Sequence, residues 1–132
     1  MNGPSALSKS VLVVCVAGLL AAFALTSLAV GRVIVHHHSR VTIASGPPAF
    51  HGKVISPEHA CEIDRKVVMF RKMPGPDENL GSDHTGNRGR WKVIVDPLSS
   101  GAYYAKVKRR AEGTAGTIQV CDRDKSRVVV VD

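Results

Sequence analysis

The residues with the means to do chemistry fall into four groups. His36-His37-His38 comes first along the chain, and neutral imidazole is the commonest metal ligand. On an extended backbone only His36 and His38 share a face, and no Cys, Asp or Glu lies within ten residues to complete a coordination shell. The run therefore reads as part of a solvated linker, and no metal or other cofactor is expected. Asp77-Glu78-Asn79 and Asp83-x-Thr85-x-Asn87 place oxygen ligands in the alternating manner of calcium loops. Such a loop also needs Gly at its sixth position and a bidentate acid at its twelfth. Counted from Asp77 those positions hold Ser82 and Arg88, and from Asp83 they hold Arg88 and Ile94, so turn chemistry accounts for both series.

A nucleophilic site would need Ser or Cys beside a His and an acid. His51, His59 and His84 fall on different strand ends with no motif around any serine, and catalysis is not expected. The fourth group is basic. Lys106, Lys108, Arg109 and Arg110, with Tyr104, would form a strip beside Arg90 and Lys92 if their two strands pair or face the same side. In a chain of formal net charge +7, such a strip would bind anionic polymers or lipid head groups through charge, with steep salt dependence. It lacks the interleaved aromatics of a stacking platform, so sequence-specific nucleic acid is not the expected partner. The plainer reading is a solvated basic surface that keeps a small protein soluble.

These side chains must be positioned by a small core. The chain has 132 residues and 5% aromatics, which leaves Trp91, Tyr103, Tyr104, Phe50 and Phe70 to anchor most of the packing. From Phe50 onward short strands recur with turn signals about every ten to fifteen residues. They are 50–55, 65–72, 79–85, 90–95, 102–109, 117–121 and 127–131. Seven short strands without helical periodicity predict an all-β, seven-stranded antiparallel sandwich. After Gly89, Trp91, Val93 and Val95 share one face and Arg90 and Lys92 the other. In the next strand Tyr103, Ala105 and Val107 oppose Tyr104, Lys106 and Lys108. The first set in each case is predicted to be core. Val128 to Val131 is apolar on both faces and needs cover on both sides or a partner edge.

The N-terminal part addresses the protein to a membrane. Met1 to Ser10 is polar with one cation, Lys9, and Val11 to Val30 is uncharged and apolar, an expected helix. Ser27-Leu28-Ala29 offers the small-x-small pattern of a signal peptidase, so residues 1–29 are a signal peptide cleaved after Ala29 or an uncleaved anchor, the run being long enough to span a bilayer. The charges of Lys9 and the amino terminus are balanced by Arg32 and Arg40, which leaves both outcomes open. Cys15 lies inside the run behind Val14, not a small residue, which argues against lipid modification. Two cysteines remain in the exported part, Cys61 and Cys121, and an even count in an oxidising compartment predicts that they pair. Closing that loop of about 60 residues restricts the unfolded chain by roughly 4 kcal/mol. Residues 30–49, ending in Ser45-Gly46-Pro47-Pro48, read as a linker, and 50–132 as the domain.

Several of these residues carry a resemblance. Gly52-Lys53-Val54, Arg65 to Arg71, Thr85-Gly86-Asn87-Arg88-Gly89-Arg90-Trp91, and Gly101-Ala102-Tyr103 followed by Val107 resemble the carboxypeptidase regulatory-like domains of transthyretin-like fold. The usual signature there is Thr-Asp-x-x-Gly-x-aromatic, then Pro-Gly-x-Tyr. The likeness spans Phe50 to Lys108 and departs from the pattern at Gly86, where Asp is usual, and in the separation of Pro97 from Gly101. It implies a non-catalytic accessory or surface module, with Thr85, Gly89, Trp91, Gly101 and Tyr103 as structural positions. A hydrolase branch of the fold carries a Tyr-Arg-Gly-Ser tail where this chain has Val128 to Asp132. The expectation is an exported, non-catalytic interaction module at the cell surface or secreted, whose partner is a protein or an anionic polymer. An envelope-polymer or anionic-lipid binder is the second reading and a small hydrolase the third.

Overall fold

The structure, a computed structural model, describes residues 31–46 and 48–132. The apolar run, Cys15 and the cleavage point after Ala29 lie outside the described residues. The described residues are all-β, with one 3-10 turn at His59–Cys61. Each of the seven expected strands has a counterpart: β4 (Ala49–Ile55), β5 (Lys66–Arg71), β6 (Glu78–His84), β7 (Arg90–Ile94), β8 (Gly101–Val107), β10 (Thr117–Cys121) and β12 (Val129–Val131). Five short strands accompany them: β1 (Val33–His37), β2 (Arg40–Val41), β3 (Ala44–Gly46), β9 (Arg110–Gly113) and β11 (Asp124–Lys125).

The strands form three sheets. One runs β11-β8-β5-β6, with β12 also on β8; a second sets β2 and β3 on one side of β4 and β7 on the other; the third is β1-β10-β9. The linker reading of 30–49 is thereby corrected. β2 and β3 are antiparallel to β4, and β1 is parallel to β10, from Val33 opposite Thr117 to His37 opposite Cys121. Pro48 turns the chain between β3 and β4, and its carbonyl accepts the Val95 N–H at 2.9 Å, so this proline belongs to a turn within the sheet. The parallel pair also departs from a purely antiparallel arrangement.

The first two sheets pack face to face in a sandwich-like manner because each alternates. Phe50 and Val54 of β4 and Trp91 and Val93 of β7 meet Val67 and Met69 of β5 and Tyr103, Ala105 and Val107 of β8. Phe50 and Tyr103 join across the layers with ring centroids 4.8 Å apart. β12 answers the need for a partner edge by pairing with β8, although Val130 remains exposed. The third sheet is fastened by the Cys61–Cys121 disulfide, whose Cα atoms are 5.3 Å apart. The expected pairing is formed.

Arg65 ties the same junction together. Its guanidinium, wholly buried, donates from Nη1 to Ser39 Oγ at 2.8 Å and the Cys61 carbonyl at 2.7 Å, and from Nη2 to the carbonyls of Lys108 and Asp122, both at 2.8 Å. Burial, then the nearby Arg110, lowers its pKa, and Asp122 opposes them.

Candidate functional site

The cations predicted to form one strip are divided. β8 belongs to the sheet of β5 and β6, while β7 pairs with β4, and the apolar faces of these sheets meet in the core. Lys106 therefore projects from one outer face, and Arg90 and Lys92 from the other. Arg110 leaves the strip altogether. Its Nη1 donates to the carbonyls of Ile63 and Asp64 at 2.8 and 3.1 Å, its Nη2 to that of Ala60, and its Nε lies 3.2 Å from Glu112 Oε1. Lys108 and Arg109 are exposed, just past the end of β8.

Tyr104 faces away from Tyr103 as the alternation predicts, yet it is buried and not open to a ligand. Phe70 stacks on it at 5.4 Å, Lys125 Nζ sits 4.1 Å from its centroid, and Lys106 Nζ lies 5.2 and 5.7 Å from the Phe70 and Tyr104 rings. Its hydroxyl donates to Asp77 Oδ2. Burial and the Asp77 carboxylate push the Tyr104 hydroxyl up to about 12. The long arms of two lysines thus cover an aromatic pair that would otherwise be wet.

The outer face of β4 and β7 is different. Lys53 stands directly opposite Arg90 and His51 directly opposite Lys92, and all four are exposed. They line a groove of about 780 Å³ together with Thr42, Asp83 and Trp91. Its shape comes from the break between β2 and β3. Thr42 gives its N–H to the Lys53 carbonyl at 2.8 Å, and its Oγ1 accepts the Lys53 N–H at 2.9 Å. A Cβ at Gly52 would lie 1.9 Å from the Thr42 carbonyl oxygen, so only glycine admits this approach. Asp83, which also lines the groove, accepts the backbone N–H groups of Lys92 and His84, each at 2.8 Å.

The remaining expected positions are structural. Thr85 Oγ1 accepts the Arg65 N–H at 2.8 Å and donates to the Glu62 carbonyl at 2.6 Å. Gly89 has φ +70° and opens β7, Gly101 opens β8, and the Tyr103 hydroxyl donates to the Ser99 carbonyl. Trp91 is 2% exposed, in the core. Asp77 also accepts the Met73 N–H at 3.2 Å, so both acidic series serve turns and strand ends.

Asp122, distant in sequence, sits between the histidines. Its Oδ1 is 2.9 Å from His36 Nδ1 and its Oδ2 3.4 Å from His38 Nδ1. Among the described residues no group of three His, Cys, Asp or Glu is disposed to hold a metal. The His36 hydrogen bond holds the Asp122 carboxyl below its ordinary range, partly offset by burial; the Tyr104 hydroxyl does the same for Asp77. A carboxylate whose folded pKa is depressed contributes stability that is present above its unfolded pKa and is lost as pH falls through the folded value. The melting temperature should therefore drop below about pH 4, and Asp122→Asn and Asp77→Asn should each lessen that drop. A double variant that loses stability as steeply as the parent in an acid titration would count against both pairings.

The chain matches no protein-family model and no curated protein.

Proposed function

We propose that this protein is an exported, non-catalytic β-sandwich module that works by binding, of the transthyretin-like kind found in carboxypeptidase regulatory-like domains. The observation that carries the reading is the Cys61–Cys121 disulfide in a chain whose N-terminal sequence is a long apolar run. A stable bridge of this sort belongs to an oxidising compartment. The Thr85, Gly89 and Trp91 positions of the resemblance support the architecture, since each has a folding role. Non-catalytic action is supported by how the reactive groups are engaged. The cysteines are bridged, and Tyr104 is covered and bonded to Asp77.

The full chain, expressed with its N-terminal segment and recovered without reduction, tests this. Mass spectrometry and thiol labelling should find Cys61 and Cys121 unreactive and the amino terminus either at Val30 or retained in a membrane fraction. Soluble cytosolic protein with both thiols alkylated would overturn export.

A further inference from the structure

The basic groove on β4 and β7 has a property that a merely solvated face does not need. Like charges directly opposite each other destabilise a sheet, and here Lys53 faces Arg90 with His51 and Lys92 as the next pair on the same face. No acidic side chain within salt-bridge distance of Lys53, Arg90 or Lys92 relieves them among the described residues. Residues two apart on one strand repeat at about 6.8 Å, and opposed residues lie about 5 Å apart. The result is a two-by-two array with a spacing suited to a chain of anionic groups.

We propose that this groove binds a linear polyanion whose phosphate groups lie along the ladder between Lys53, Arg90 and Lys92, with the His51 imidazole beside them. The inference rests on the binding-module reading and names its ligand chemistry. The cations follow a two-stranded ladder, which favours a linear polymer that can track it. Neutralising the charges costs no buried contact, because Lys53, Arg90 and Lys92 are exposed.

The test uses full-length, oxidised protein in nonionic detergent, titrated with long-chain inorganic polyphosphate across a range of salt. The parent should bind and melt at a higher temperature when bound. The Lys53→Gln/Arg90→Gln/Lys92→Gln variant should remain folded and bind about 100-fold more weakly near 0.1 M salt. Its log–log salt slope should be shallower by about 2. Lys106→Gln/Lys108→Gln, altered on the far side of the sandwich, should keep the parent's affinity and slope. Absence of polyphosphate binding by the parent at low salt would overturn the proposal, as would equal loss in the two variants. Anionic phospholipid vesicles captured through the same three cations, with no response to polyphosphate, would overturn it in favour of a membrane. Failure of the module reading has a separate signature, free thiols at Cys61 and Cys121.

Discussion

Arg65→Met should remove a large share of the domain's stability. The substitution preserves an unbranched side chain but withdraws the guanidinium donors from Ser39, from the buried carbonyl of Cys61 and from the half-buried carbonyls of Lys108 and Asp122. Unpartnered buried acceptors cost about 1 to 3 kcal/mol each, so the loss is expected to be at least about 4 kcal/mol, against a typical total of about 5 to 15. Arg65→Lys should forfeit most of the same stability, since a single ammonium cannot span acceptors arranged around a planar fork. Urea unfolding decides the matter. A midpoint for Arg65→Lys near the parent's would mean that charge, and not the directional set of bonds, holds the junction.

Trp91→Ala should be nearly as damaging, by about 3 to 5 kcal/mol, because it empties the centre of the core where β4 meets β7. The indole Nε1 is buried without a hydrogen-bond partner, so the contribution is one of packing alone. Trp91→Phe, which keeps an aromatic ring there, should recover much of the loss. Calorimetry of the two variants separates the cases. A Trp91→Ala protein that melts like the parent and has lost only polyphosphate binding would make this residue a ligand contact.

Period-two patterning made β7 and β8 readable residue by residue. The in-facing Trp91, Val93, Tyr103 and Val107 and the out-facing Arg90, Lys92 and Lys106 all follow it. What alternation cannot supply is the neighbour. A strand's pattern says which side is wet but not which other strand shares that side, so the sequence leaves open whether Arg90 and Lys92 stand beside β8, and their partner is β4. β1 escaped for a related reason. Its pairing with β10 spans more than eighty residues and is parallel, and its histidines, together with the Pro47-Pro48 pair downstream, suggested a solvated tether. Asp122 between His36 and His38 is the same long-range closure seen from the side chains. Arg65 was hidden because arginine is rarely wholly buried, and nothing adjacent to it in the chain announces acceptors drawn from four separate segments.

The bridge between Cys61 and Cys121 also sets how this domain responds to tension. The bonded cysteines are 60 positions apart, and β5 through β10 lie between them or end at them. When the chain is drawn out from its two ends, force passes through the sulfur atoms and bypasses that loop. Only the segments before Cys61 and after Cys121 can pay out. Reduction would add roughly 200 Å of slack at about 3.5 Å per residue. Oxidised, the domain has a middle that cannot lengthen, and its basic groove straddles the boundary: β4 lies in the part that yields and β7 in the part that cannot.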